Sequence, residues 1–403
     1  MSPRSRTSPK QGSARQRHRY ADWTRPSGAD STNDMLDTDA LVTDRDTRII
    51  VCCGSGGVGK TTASAALALR AAERGRKVCV LTIDPARRLA QSMGLTELDN
   101  VPRPVPEAGA NGGSLDAMML DMKRTFDEVV ESHASPEKAR QILENPFYIA
   151  LSSSFAGTQE YMAMEKLSQL HADADGRWDL IVVDTPPSRS ALDFLDAPEH
   201  LSSLLDGRFI KLLLTPAKGP ARFLTAGFGM VTAALNKVLG AQILTDVQTF
   251  VTAFDTLFGG FRQRAEATYA LLQAPETAFV VVAAPEHDAI REAMYFVERL
   301  TEDQMPLAGL VLNRVTTPHT DAIGQADASA AADRLDNGDG DAALVGGLLR
   351  IHADLVGTQA RESRLRRRFE GAHPHVPIVP VPVLPGDVHD LDGLRLIGDR
   401  LAS

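Results

Sequence analysis

The stretch RIIVCCGSGGVGKTTASAALALR, residues 48–70, decides the fold. It opens on an apolar, β-branched run, RIIVCC (48–53), of the kind that forms a strand covered on both faces. The residues that follow are Gly54, Ser55, Gly56, Gly57, Val58, Gly59, Lys60, Thr61 and Thr62, and an Ala-rich helical pattern continues to Arg70. Gly54, Gly59, Lys60 and Thr61 complete the spacing G-x-x-x-x-G-K-S/T of a phosphate-binding loop. Glycine lets the backbone wrap a phosphate with its N–H groups, and the helix N-terminus adds a favourable dipole. Lys60 is then expected to bridge β- and γ-phosphates and Thr61 to ligate Mg²⁺. A bare Gly-rich turn would not explain strand, full spacing and helix together.

Further apolar runs lie outward from this stretch. They are KVCVLTI (77–83), WDLIVV (178–183), TAFVVVAA (277–284), LAGLVLN (307–313) and VPIVPVPV (376–383). Helical patterns such as TTASAALALRAAERG (61–75) and DAIREAMYFVERL (288–300) separate them. Strands alternating with helices predict an α/β fold, a doubly wound and mostly parallel sheet. Pro380 and Pro382 place the last run at a sheet edge or in a loop. Two stretches break the rhythm, residues 115–172 and 197–273, and both read as helical insertions into one nucleotide-binding domain spanning 46–403. Residues 1–45, rich in Ser, Pro and Arg before turning acidic, read as a disordered tail. The Ala-, Asp- and Gly-rich segment 316–342 reads as a long mobile loop.

Composition narrows the function. At 403 residues the chain can bury a sizeable core, and its 43% hydrophobic content is globular. A formal net charge of −9 argues against a nucleic-acid partner, because polyanions are bound by basic surfaces. The three cysteines, Cys52, Cys53 and Cys79, all fall within strand-like runs and form no CxxC pair, which speaks against zinc. So sparse a cysteine complement fits a reducing, cytoplasmic setting, with a peripheral membrane position as the alternative. No stretch reaches the roughly 18 uncharged apolar residues of a membrane span.

Asp184 closes the run WDLIVVDTPP and suits the carboxylate that holds Mg²⁺ opposite a phosphate loop. With this, the loop GSGGVGKTT, the segment LTIDPARRLAQSMG after the next strand, and VVDTPPS together resemble one family. It is that of the arsenite-pump ATPases and guided-entry ATPases, which target tail-anchored proteins and belong with the ParA and MinD division ATPases. The resemblance covers about residues 48–402. It implies ATP and Mg²⁺ as cofactors, dimerisation, and hydrolysis of ATP. It also puts Asp84 of DPAR where the family activates the attacking water, and DTPPSRSA at the second switch. Asn313 matches the residue that reads the adenine edge, and the Pro382 segment resembles the loop that closes over the base.

The chain departs from the family where catalysis is concerned. Ser55 stands where the family carries a second loop lysine, Arg87 replaces a histidine, and Arg189 replaces a glycine. A lost cation beside a developing phosphate charge is serious, since an arginine finger supplies ~10³–10⁵ in rate. Arg87 and Arg189 are therefore candidates for that role, and hydrolysis is expected to be slow or dependent on a partner subunit.

Residues 241–261 carry apolar side chains at helical spacing, among them Phe250, Phe254, Leu257 and Phe258. Upstream, Phe228 and Met230 add pliable apolar groups. These faces either pack on one another or, as the resemblance implies, line a groove for a hydrophobic client. Glu160 and Glu165 read as exposed helix charges or as carboxylates coupled to the switches; His287, His373 and His375 read as loop residues. Three functions stay open. The first is an ATPase whose dimer closure, as homodimer or as heterodimer with a paralogue, binds and releases a hydrophobic membrane-protein segment. The second is the ATPase subunit of an anion pump working with a membrane partner, against which stands the lack of any cysteine after Cys79. The third is a catalytically weak ATP-binding half of a heterodimer.

Overall fold

A computed structural model describes residues 35–84, 88–146, 148–149, 152, 158–173, 176–186, 263–335 and 340–402. The central sheet has eight strands in the order β3-β4-β2-β5-β1-β6-β7-β8. These are β1 (Ile49–Cys53), β2 (Lys77–Thr82), β3 (Arg103–Pro104), β4 (Ser114–Met119), β5 (Leu180–Asp184), β6 (Thr277–Ala283), β7 (Leu307–Val315) and β8 (Ile378–Pro382). Every pairing is parallel except β3 with β4. β1 lies between β5 and β6: the chain crosses from β1 to β2 on one side, and after β5 it passes β1 to build β6, β7 and β8 on the other. That reversal opens a crevice at the carboxyl ends of the strands, where ligands of doubly wound sheets bind.

The continuous apolarity of β1 follows from its position. Ile49, Val51 and Cys53 face one core layer, Ile50 and Cys52 the other, and all five are fully buried. The first layer is closed by α4 (Met122–His133), α6 (Thr158–Ala172), α7 (His287–Glu302) and the end of α9 (Asp341–Ala372). The second is closed by α1 (Thr38–Thr43), α2 (Lys60–Glu73) and α10 (Leu391–Leu401). Three further helices are α3 (Arg88–Ser92), α5 (Pro136–Leu143) and α8 (Gln325–Leu335), and another helical stretch covers 263–272. Prolines in β8 are tolerated because β8 is an edge strand, as its sequence suggested.

The structure departs from the sequence reading in three places. The stretch 115–172 is mostly helical but opens with β4, whose alternating exposure and Asp116 hide the strand. Asp116 is held by Trp178 Nε1 at 2.9 Å. The segment 316–342 contains α8, whose Ala328 and Ala332 are buried against α9. Residues 35–45 do not belong to a tail: α1 is N-capped by Asp37 and buries Leu41 and Val42. Of the second insertion, residues 197–262 lie outside the described residues.

Arg76 fixes one end of the sheet. It is fully buried, and its guanidinium donates to the carbonyls of Val42, Asp44, Thr47 and Asp179 and to the Asp179 carboxylate. Burial pushes its pKa down while Asp179 opposes that, so the charge rests on one carboxylate and a ring of backbone dipoles. A buried charge is sustained only when it is paired and hydrogen-bonded in this way.

Candidate functional site

The chain leaves β1 at Gly54 and enters α2 at Lys60. Two glycines shape the turn. Gly54 has φ 148°, and a Cβ there would lie 2.1 Å from the Val282 carbonyl oxygen of β6. Gly59, the N-cap of α2, has φ 94°, and a Cβ there would lie 2.2 Å from Asn313 Nδ2. No side chain caps α2, so its leading N–H groups are left for a ligand at the mouth of the loop.

Lys60 is buried, and its Nζ donates to the carbonyls of Gly54 at 2.9 Å and Ser55 at 2.7 Å. Burial lowers its pKa, and the charges of Asp184 and Asp84 act against that shift. An ammonium has three donors, so one remains after these two bonds. Thr61 Oγ1 donates to Asp184 Oδ2 at 2.8 Å, and Thr82 Oγ1 donates to the same oxygen at 2.9 Å. Asp184 therefore joins the ends of α2, β2 and β5. Its Oδ1 is buried without a hydrogen-bond partner, and burial raises its pKa to about 6 against the bonds from Thr61 and Thr82. A buried carboxylate with one orphaned oxygen, beside a threonine hydroxyl, is a donor set suited to a hard divalent cation such as Mg²⁺.

Asp84 lies two residues beyond β2, is 8% exposed, and its backbone N–H donates to Thr82 Oγ1 at 3.2 Å. The hydroxyl of Thr82 thus connects the Asp84 segment to Asp184. Asn313, near the end of β7, donates from Nδ2 to the Val58 carbonyl at 2.8 Å. The structure brings Asn313 to the phosphate loop, with its amide nitrogen on the loop backbone. Pro382 ends β8, beside Val315 of β7. Ser55, Gly56, Gly57 and Val58 line a surface hollow with Glu286 and Glu292. The Ser55 hydroxyl is buried and has no hydrogen-bond partner.

Arg87, Arg189, Phe228, Met230, Phe250, Phe254, Leu257 and Phe258 lie outside the described residues. Glu165 is not an exposed helix charge. It is 3% exposed, Arg264 Nε donates to both of its oxygens at 3.0 and 2.9 Å, and Tyr161 Oη donates to Oε2 at 3.3 Å. Long-range pairing with Arg264 keeps it buried, which its helical sequence context alone cannot reveal. His287 is the first residue of α7 and not a loop residue, while His373 caps the end of α9. The cysteines are buried thiols as expected, with Cys52 and Cys53 pushed up to about 12 by burial.

A glycine-shaped loop at the switch point of a parallel sheet, with Lys60, Thr61 and Asp184 converging on its mouth, defines a P-loop nucleotide-binding protein. The sequence profile of the anion-transporting ATPases matches residues 47–333. The chain is 24% identical to the ATPase BagA of Mycobacterium tuberculosis over 376 residues, 88% of this chain and 93% of that one. It is 26% identical to the ATPase GET3 of Rhodotorula glutinis over 295 residues, 72% of this chain and 75% of that one. With the arsenical pump-driving ATPase of Escherichia coli it shares 29% identity over 157 residues, 38% of this chain and 26% of that one. This chain belongs to the anion-transporting ATPase family, whose members are ATPases. No helix among the described residues is long and apolar enough to cross a membrane.

Proposed function

We propose that the protein hydrolyses Mg-ATP and couples closure of a dimer to binding and release of a hydrophobic membrane-protein segment. The observation that carries the hydrolase reading is the convergence of Thr61 and Thr82 on one carboxylate oxygen of Asp184, with Asp84 tied to Thr82. In this reading the loop N–H groups of residues 56–59 and Lys60 bind the phosphates, and Thr61 and Asp184 hold the metal. Bound Mg²⁺ supplies charge neutralisation to the phosphate oxygens. Asp84 orients the attacking water as a hydrogen-bond acceptor. Asn313 and Pro382 flank the base. Arg87 or Arg189 takes over the cationic role that Ser55 cannot fill, and without the loop lysine turnover is slow or dependent on a partner subunit.

The client reading rests on the likeness to the tail-anchored targeting ATPases and on the apolar stripe through Phe228, Met230, Phe250, Phe254, Leu257 and Phe258. The arsenical-pump reading has less behind it. Metalloid binding would require accessible thiolates, whereas Cys52, Cys53 and Cys79 are buried and their thiols are held protonated. The test is capture of a tail-anchored peptide by the full chain, with and without Mg-ATP, compared with Lys60→Ala. Nucleotide-dependent capture that Lys60→Ala abolishes is expected. Equal capture in all four conditions, or none in any, would overturn the proposal.

A further inference from the structure

Within the site just described, one cation has no role in the sequence pattern. Arg314 follows Asn313 in β7, and its backbone sits at φ 63°, in the left-handed region that residues other than glycine seldom adopt. The register of β7 against β8 slips between Asn313 and Val315, so Arg314 is the extra residue of a bulge. Bulges re-aim side chains, and strained backbone at a site points to a function for the side chain it presents. Here the bulge leaves Arg314 exposed between two half-buried neighbours. It also turns the guanidinium onto the phosphate loop, where Nη1 donates to the Gly57 carbonyl at 3.0 Å. Asn313 bonds the next carbonyl, that of Val58, so consecutive residues grip consecutive peptide units of the loop.

A neutral side chain could brace the Gly57 carbonyl as well. Arginine brings five donors, of which this bond uses one, and among the described residues no carboxylate pairs with it. An uncompensated guanidinium at the rim of a phosphate loop is chemically suited to phosphate oxygens, which its planar fork binds in bidentate fashion. Ser55, two residues before Gly57, brings no charge of its own.

We propose that Arg314 is a phosphate ligand of the bound nucleotide, a cation supplied from β7 of the same chain in addition to Lys60 and to the switch arginines. The proposal rests on the nucleotide site described above and deepens it by adding a residue that sets affinity. The test is calorimetric titration of Mg-ATP and Mg-ADP into the full chain and into Lys60→Ala, Arg314→Ala, Arg314→Gln and Arg314→Lys, with the melting temperature of each. Arg314→Gln can keep the bond to Gly57 but loses the charge, and Arg314→Lys keeps the charge. Arg314→Ala and Arg314→Gln are expected to lose ~10-fold or more in affinity for the nucleotides, with Arg314→Lys intermediate and melting temperatures close to the parent's. Wild-type affinity in Arg314→Gln would show that a neutral brace suffices and would overturn the proposal, as would unchanged affinity in all three. Failure of the nucleotide site itself looks different: the parent chain would bind neither nucleotide, or Lys60→Ala would bind as tightly as the parent.

Discussion

Replacing Gly59 by alanine tests how far the loop is preorganised. Gly59 has φ 94°, beyond the small left-handed region open to residues with a Cβ, and such a placement costs on the order of 1–3 kcal/mol. The added Cβ would also stand 2.2 Å from Asn313 Nδ2, far inside contact distance, so the amide must swing away. Asn313 would then lose its 2.8 Å bond to Val58, worth about 0.5–1.5 kcal/mol. The two effects together give a loss of about 1.5–4.5 kcal/mol. Urea unfolding of the parent and Gly59→Ala measures it, and Mg-ATP titration reads the accompanying drop in affinity. Trimming the neighbour separates the terms: in an Asn313→Ala background the cost of Gly59→Ala should fall to the backbone share alone. A loss below ~0.5 kcal/mol with unchanged affinity would refute this account of the loop.

Two further outcomes are expected. Asp84→Asn should bind Mg-ATP as the parent does while steady-state turnover falls ~10²–10⁴-fold; equal turnover would leave Asp84 as a structural residue ahead of Pro85. Arg76→Met removes the hub that satisfies the carbonyls of Val42, Asp44, Thr47 and Asp179, while the Asp179 carboxylate keeps its pairing with Arg45. Chemical denaturation should show a loss of about 1–3 kcal/mol from the carbonyls left unsatisfied, and a loss below ~0.5 kcal/mol would show that the acceptors find water instead.

The strands that surround the site were legible because burial on both faces writes itself as an unbroken apolar run. KVCVLTI became Lys77–Thr82 and TAFVVVAA became Thr277–Ala283 with little change at their ends. β4 was not legible: it lies one position from the sheet edge, and its Asp116 interrupts the apolar pattern for a partner, Trp178, far along the chain. α8 was hidden for another reason. Its buried face is made of alanines, Ala328 and Ala332, which carry almost no hydropathic contrast with a loop. Within the site, the phosphate loop and Asp184 are contiguous signatures and could be read directly. Arg314 could not, because its role depends on a bulge, and a bulge leaves no mark in composition. Glu165 and Arg76 share that limit, since each is buried by a partner more than 90 positions away.

The pair formed by Glu165 and Arg264 has a mechanical consequence. The described chain breaks off at residue 186 and resumes at 263, and each of these points lies next to a different set of hydrogen bonds. It departs just after Asp184, at the strand end that Thr61 and Thr82 hold, and it returns through the helical stretch 263–272, which Glu165 clamps to α6. One end is therefore tied to the nucleotide loop and the other to the helical layer behind the sheet. The clamp thus fixes where the chain rejoins the described fold: beside the helical layer, against α6, and away from the carboxyl end of β5 that Thr61 and Thr82 hold.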